Sequence, residues 1–342
     1  MKTKITILAI ALLLSFMSGA QNIITVDNSV GANAQYSDLQ SAIDAAANGD
    51  ILYVHASTDS YGNVNISKTL TLIGFGHSAI DKNTFIEDII LLNGSSNSRF
   101  TGLNFNDFYP SSAVNETINN IVIENCLGDQ IYFRGATPVD NIIIQGSVIR
   151  IIGNSSSSFN NYTNAIISNN IIGSIVYIDD PLSISIKNNV FLTPSTSTPI
   201  SNEIPALGNI TVQNNILYYN TSSTPNPNAN GVIFENCLAY NVGSGTVSVL
   251  SGNNNLNNQN PQFVNITDTT NYNSTDDYNL QAGSPAIDSG VQGVDMGIYD
   301  GSTFTFNSFG FTNGIPTVKI TNITDRIAPE DNLSVTIDTN AN

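Results

Sequence analysis

Cations are the scarcest reagents in this sequence. Of 10 Lys and Arg residues, Lys2 and Lys4 sit at the extreme N-terminus, leaving Lys68, Lys82, Arg99, Arg134, Arg150, Lys187, Lys319 and Arg326. β-Elimination from a uronate requires a group that neutralises the sugar carboxylate and a base that removes the α-proton. Arg134, Arg150 and Lys187 are the candidates for such a site. Hydrolysis of a glycosidic bond requires two carboxyl groups flanking it. Between residues 100 and 240 the one adjacent acidic pair is Asp179-Asp180, and Pro181 behind it favours a turn; Asp276-Asp277 falls later. His55 and His77 stand near the N-terminus, away from any acidic cluster in sequence, and are expected to be structural or surface residues.

Composition narrows the partners. The 342 residues carry a net charge of −17, with 11% charged and 41% hydrophobic side chains. Such a chain is too apolar for disorder, and too anionic for nucleic acid or an acidic membrane surface. It repels anionic polysaccharides unless calcium bridges them; neutral glycans, other extracellular polysaccharides so bridged, or cell-surface components are easier partners. No cofactor is expected. Calcium is compatible with the abundant Asp and Asn oxygens, but neither EF-hand nor glycine-rich nonapeptide spacing is present, so any metal stays open. Residues 1–20 read as a secretory signal: Lys2 and Lys4, an apolar run from Ile5 to Met17, then Ser18-Gly19-Ala20. The run is shorter than a spanning helix needs. The expected localisation is therefore secreted or cell surface, with no membrane span.

The elements that must position these side chains announce themselves by repetition. The pattern apolar-x-Asn-[Asn/Cys]-aliphatic occurs as Ile123-Glu124-Asn125-Cys126-Leu127, Ile167-Ser168-Asn169-Asn170-Ile171 and Ile186-Lys187-Asn188-Asn189-Val190. It returns as Val212-Gln213-Asn214-Asn215-Ile216 and Phe234-Glu235-Asn236-Cys237-Leu238, with Gly102 and Gly146 at the third position of two weaker copies. The third positions step by 23, 21, 23, 19, 26 and 22 residues, a solenoid period. Short β-branched runs precede them, without helical periodicity. The expected fold is all-β, a parallel β-helix (solenoid) of short stacked strands. Asn and Gly share the bend because both tolerate a left-handed backbone. Stacked about 4.8 Å apart, Asn125, Asn169, Asn188, Asn214 and Asn236 would hydrogen-bond up one ladder.

That register makes further statements. Cys126 and Cys237 share a column five coils apart, roughly 24 Å, so no disulfide is expected between them. Four residues past the bend, Asp129 and Arg150 become vertical neighbours, as do Tyr218 and Tyr240. The first pair reads as a surface ion pair and the second as a stacked ladder; as ligand-binding groups, Asp129, Tyr218 and Tyr240 would supply polar and aromatic contacts. Two residues past the bend, Leu127, Val148, Ile171, Val190, Ile216 and Leu238 are all aliphatic. This row is expected either to join the core through a shifted phase or to lie under loops; left exposed, it would favour assembly.

Caps complete the reading. Ser37 with Gln40 predicts a capping box, Gly49 a stop, and Leu39, Ala42, Ile43 and Ala46 one buried helical face. The helix followed by Gly49-Asp50-Ile51-Leu52-Tyr53-Val54 and Leu70-Thr71-Leu72-Ile73-Gly74, with Gln281-Ala282-Gly283-Ser284-Pro285-Ala286-Ile287-Asp288 and Asp295-Met296-Gly297 near the end, resembles pectin-lyase-like repeat proteins that are bacterial and secreted. The resemblance implies a right-handed β-helix over about residues 22–300, and a superfamily of lyases, hydrolases, esterases and non-enzymes, which leaves activity open. The segments expected are a signal peptide (1–20), an N-terminal strand and capping helix (21–50), a β-helix with closing segment (51–300) and a C-terminal β extension (301–342) whose Phe304, Phe306, Phe309 and Phe311 cover the last coil. Scarcity of bases favours a non-catalytic carbohydrate-binding or surface structural protein. The alternatives are a polysaccharide lyase or glycoside hydrolase, and an adhesin or assembly subunit.

Overall fold

The bends are where the sequence demands them. Gly102, Asn125, Gly146, Asn169, Asn188, Asn214 and Asn236 all have φ between 50° and 66°, and each separates a strand of one sheet from a strand of the next. The computed structural model describes residues 21–77, 83–133, 138–153, 162–178, 182–193, 198–202, 205–301, 304, 306, 307, 317–323 and 335–340. The signal-like segment, Arg134, Asp179-Asp180, Phe309 and Phe311 lie outside the described residues.

The chain is a parallel β-solenoid. Its first sheet stacks Ile23–Val26, Ile51–Val54, Thr71–Ile73, Arg99–Thr101, Ile118–Glu124, Val139–Gln145, Ala165–Ser168, Ile184–Lys187, Ile210–Gln213, Val232–Glu235 and Gly252–Asn253 in chain order. The second stacks Val64–Ile66, Phe85–Leu91, Asn104–Pro110, Leu127–Ile131, Val148–Ile152, Ile171–Ile178, Val190–Thr193, Ile216–Tyr219, Leu238–Asn241 and Leu256–Asn257. Between them runs an aliphatic and aromatic interior that includes Leu72, Phe100, Ile123, Ile144, Ile167, Ile186, Val212 and Phe234.

One helix, α1 (Leu39–Ala45), buries Leu39, Ala42 and Ile43 on the first strands. Its N-cap is Asp38, which accepts from the Ser41 N–H at 2.7 Å, in place of the expected Ser37. A carboxylate one residue closer to the first turn serves the exposed N–H groups better. Lys68 closes the other end, donating to the carbonyls of Ile43, Asp44 and Ala46. No helix among the described residues is long and apolar enough to cross a membrane.

The hydrogen-bonded ladder is not where the bend residues are. It runs through the fourth motif position, inside the coil. Ser147 Oγ, Asn170 Oδ1, Asn189 Oδ1, Asn215 Oδ1 and Asn255 Oδ1 accept in turn from the backbone N–H of Cys126, Ser147, Asn170, Asn189 and Cys237, at 2.9–3.1 Å. Asn170 and Asn189 also donate side-chain N–H bonds to the Asn above. Cys126 and Cys237 are rungs of this interior column, unbridged and fully buried; burial pushes their thiols up to about 12. In the bend column itself, Asn214 reaches Asn188 at 3.3 Å, but the amides mostly serve another element.

That element is the closing segment. After an antiparallel hairpin of Phe263–Asn265 with Asp277–Leu280, residues 285–301 run back along the flank of the solenoid, opposite to the order of the coils. Asn236 donates to Ser289 O, Asn214 accepts from Val291 N, Asn188 donates to Asp295 O and Gly297 O, and Asn169 donates to Ile298 O and Asp300 O. The aliphatic row two residues past the bend lies beneath this strap, packed with Met296, Ile298 and Phe306 in a cluster separate from the interior. The row is thus covered on the outer side of the coil. Phe304 sits against Gly146, where an added Cβ would lie 2.3 Å from its ring, and Phe306 packs on His77. These two phenylalanines therefore meet early and middle coils instead of the last one, because the strap has already travelled back that far. Thr317–Ile323 and Val335–Asn340 form an antiparallel pair.

Candidate functional site

Register brings Asp129, Arg150, Tyr218 and Tyr240, the candidates on the second sheet, into one column with Asn106, Gly173 and Leu192. Beside it runs the row Phe85, Asn104, Leu127, Val148 and Ile171. Along these two rows, beside the strap, a groove of about 420 Å³ opens. The apolar row forms its floor; Asn106, Asp129 and Arg150 form one wall; Asn83, Asn271 and Tyr272 border it. Tyr272 comes from the 266–276 loop of the closing hairpin, its hydroxyl 3.2 Å from His77 Nδ1 and its ring stacked near Tyr278.

Asp129 and Arg150 form a two-pronged pair. Arg150 Nη2 donates to Asp129 Oδ2 at 2.7 Å, and Nε donates to Oδ1. The guanidinium holds the Asp129 carboxyl below the usual range, and the carboxylate raises Arg150 in return. Both side chains are about half exposed, so the pair contributes at most about 1 kcal/mol to stability. Its consequence for a ligand is larger: the one carboxylate lining the groove among the described residues is already neutralised. Gly173, next in the column, leaves a notch above Arg150; any Cβ there would lie 2.3 Å from the Arg150 carbonyl.

The remaining candidates are elsewhere. Lys187 ends a strand of the first sheet, in register with Ser168 and Gln213, across the bend from the groove. It does not share a site with Arg150. Tyr218 is buried beneath Phe263, and its ring is tilted 42° to Tyr240, so the two do not offer a flat sugar platform. Arg99 pairs with the buried Glu124, which also accepts from Gln145. Asp276 accepts from Thr267 and Asp268 and organises the loop that carries Tyr272. Among the described residues no three His, Cys, Asp or Glu side chains converge to hold a metal ion.

Of the groove residues that the sequence does not single out, Asn104 and Tyr272 escape notice for different reasons. Asn104 stands two residues past Gly102, in the aliphatic row; carrying the register one copy further toward the N-terminus would have exposed it as the polar exception. Tyr272 had no signal, since its loop is outside the repeat. Comparison with family models and with curated protein sequences returns no match.

Proposed function

We propose that the chain is an exported, non-catalytic carbohydrate-binding protein, and that the groove over Leu127, Val148 and Ile171 is its sugar site. The observation that carries this reading is the lining: an apolar floor, amide side chains at the rim, a tyrosine and a self-neutralised ion pair. Planar amides and half-buried aromatic rings suit the hydroxyls and C–H faces of a sugar. Bond cleavage is less well served. Hydrolysis requires a second carboxyl group opposite the first, and elimination requires a base not already engaged. Asp129 is the single carboxylate of the lining among the described residues, and Arg150 is occupied by it. The pectin-lyase-like character of the opening and closing segments supports a polysaccharide ligand, the signal-like N-terminus supports an extracellular one, and the charge of −17 favours a neutral glycan. An assembly role drew on an exposed apolar row, and the strap covers that row.

Calorimetric titration with neutral and uronate oligosaccharides tests this. Neutral ligands should bind, Arg150→Ala and Tyr272→Ala should each weaken binding about tenfold, and no new sugar ends should appear. Reducing or unsaturated ends that vanish in Arg150→Ala would replace this reading with an enzymatic one.

A further inference from the structure

The groove floor contains one residue that breaks its own row. Phe85, Leu127, Val148 and Ile171 are apolar; Asn104, between Phe85 and Leu127, is not. Asn104 is 5% exposed, and its Oδ1 is buried without a hydrogen-bond partner. Its backbone N–H is used elsewhere, on Thr84 O at 2.8 Å. A buried acceptor left unpaired is destabilising, and an isosteric apolar residue removes that penalty. Every other described position of the row between Phe85 and Leu256 is aliphatic, so the fold itself does not ask for an amide here.

We propose that Asn104 is a specificity residue for an acetamido group, so that the groove takes N-acetylated amino sugars within a neutral glycan. This rests on the reading of the groove as a sugar site and sharpens it. The missing partner is a donor, and it must arrive at a point bordered by Phe85 and Leu127. A plain hydroxyl supplies the donor but lays a hydrated ring edge on apolar surface. An acetamido group supplies an N–H beside a methyl group, matching an acceptor set in an aliphatic row. Its carbonyl is left for the amides of Asn83 and Asn106 or for Arg150 N–H groups not used by Asp129. Uncharged acetamido sugars also avoid repulsion by the acidic protein.

The full chain is titrated with the β-1,4-linked tetramer of N-acetylglucosamine and with the corresponding glucose tetramer. The acetylated tetramer should bind at least about tenfold more tightly, as a site built to pair a polar group discriminates against ligands that lack it. Asn104→Leu should erase that preference while raising the thermal unfolding midpoint. Equal affinity for the two tetramers in the unaltered protein overturns the acetamido assignment and leaves the sugar site standing. Binding of neither overturns both. A preference that survives Asn104→Leu assigns the discrimination to another residue and overturns the role given to Asn104.

Discussion

Asn188 and Asn189 are chain neighbours of one residue type, both fully buried, and they do opposite things. Asn189 points into the coil, where it accepts from the N–H and side chain of Asn170 and donates to Ile167 O, Lys187 O and Asn215 Oδ1. Asn188, at φ 55°, turns outward and holds the strap. The first column ties coil to coil; the second ties the stacked coils to a distant segment of the same chain. Identical chemistry thus yields an interior staple and an exterior dock, and the bend between them decides which. A side chain at a left-handed bend leaves the coil, and the next one re-enters it.

The largest test breaks the interior column. Asn189→Ala strands the N–H of Asn170 and removes a donor from the carbonyls of Ile167 and Lys187 where water does not reach, and should cost about 3 kcal/mol. Urea unfolding should show the whole transition moving to lower denaturant; an unchanged midpoint would deny the ladder its role.

An intermediate effect comes from acidification at the far end of the strap. His77 is buried against Tyr272, Phe306 and the main chain of Gly146 and Asn307, and desolvation lowers it from 6.5 to about 4. In this window the unfolded or detached form binds the proton and the docked form does not. The contact is therefore at full strength above about pH 6.5 and weakens steadily down to about pH 4, with no further loss below. At pH 5 the loss should be about 2 kcal/mol. Limited proteolysis near Phe306 at pH 7 and pH 5 reads it, and His77→Phe should flatten the difference.

The smallest effect should come from the exterior column. Asn188→Gly keeps the left-handed bend available and deletes the dock together with the single bond from Asn214. Hydrogen exchange of residues 295–297 should rise about fivefold, equivalent to about 1 kcal/mol, while the unfolding midpoint of the solenoid stays within error. If Asn188→Gly instead destabilises the whole molecule as Asn189→Ala does, the division between staple and dock is wrong.

The two columns also show how far the sequence could be read. The third position was legible as a bend because Asn alternates with Gly there, at Gly102 and Gly146. The fourth position alternates among Asn, Cys and Ser, at Asn170, Cys126 and Ser147, which is the signature of small groups inside a stack, yet the ladder was expected one residue earlier. A repeated Asn-Asn pair does not reveal which member faces inward. The pairing of Asp129 with Arg150 followed from spacing alone. Tyr218 was read correctly as a neighbour of Tyr240, but its burial depended on Phe263 from another part of the chain.

Local periodicity by itself determined the parallel coils, the bends, the register of columns and the cap helix, because in a solenoid each contact is with the next repeat and recurs at one spacing. The strap, the covered apolar row and the place of Tyr272 at the border of the groove were decided by tertiary structure alone. They join residues more than 100 positions apart, such as Asn169 with Ile298 and His77 with Tyr272, and involve segments with no period to carry a register.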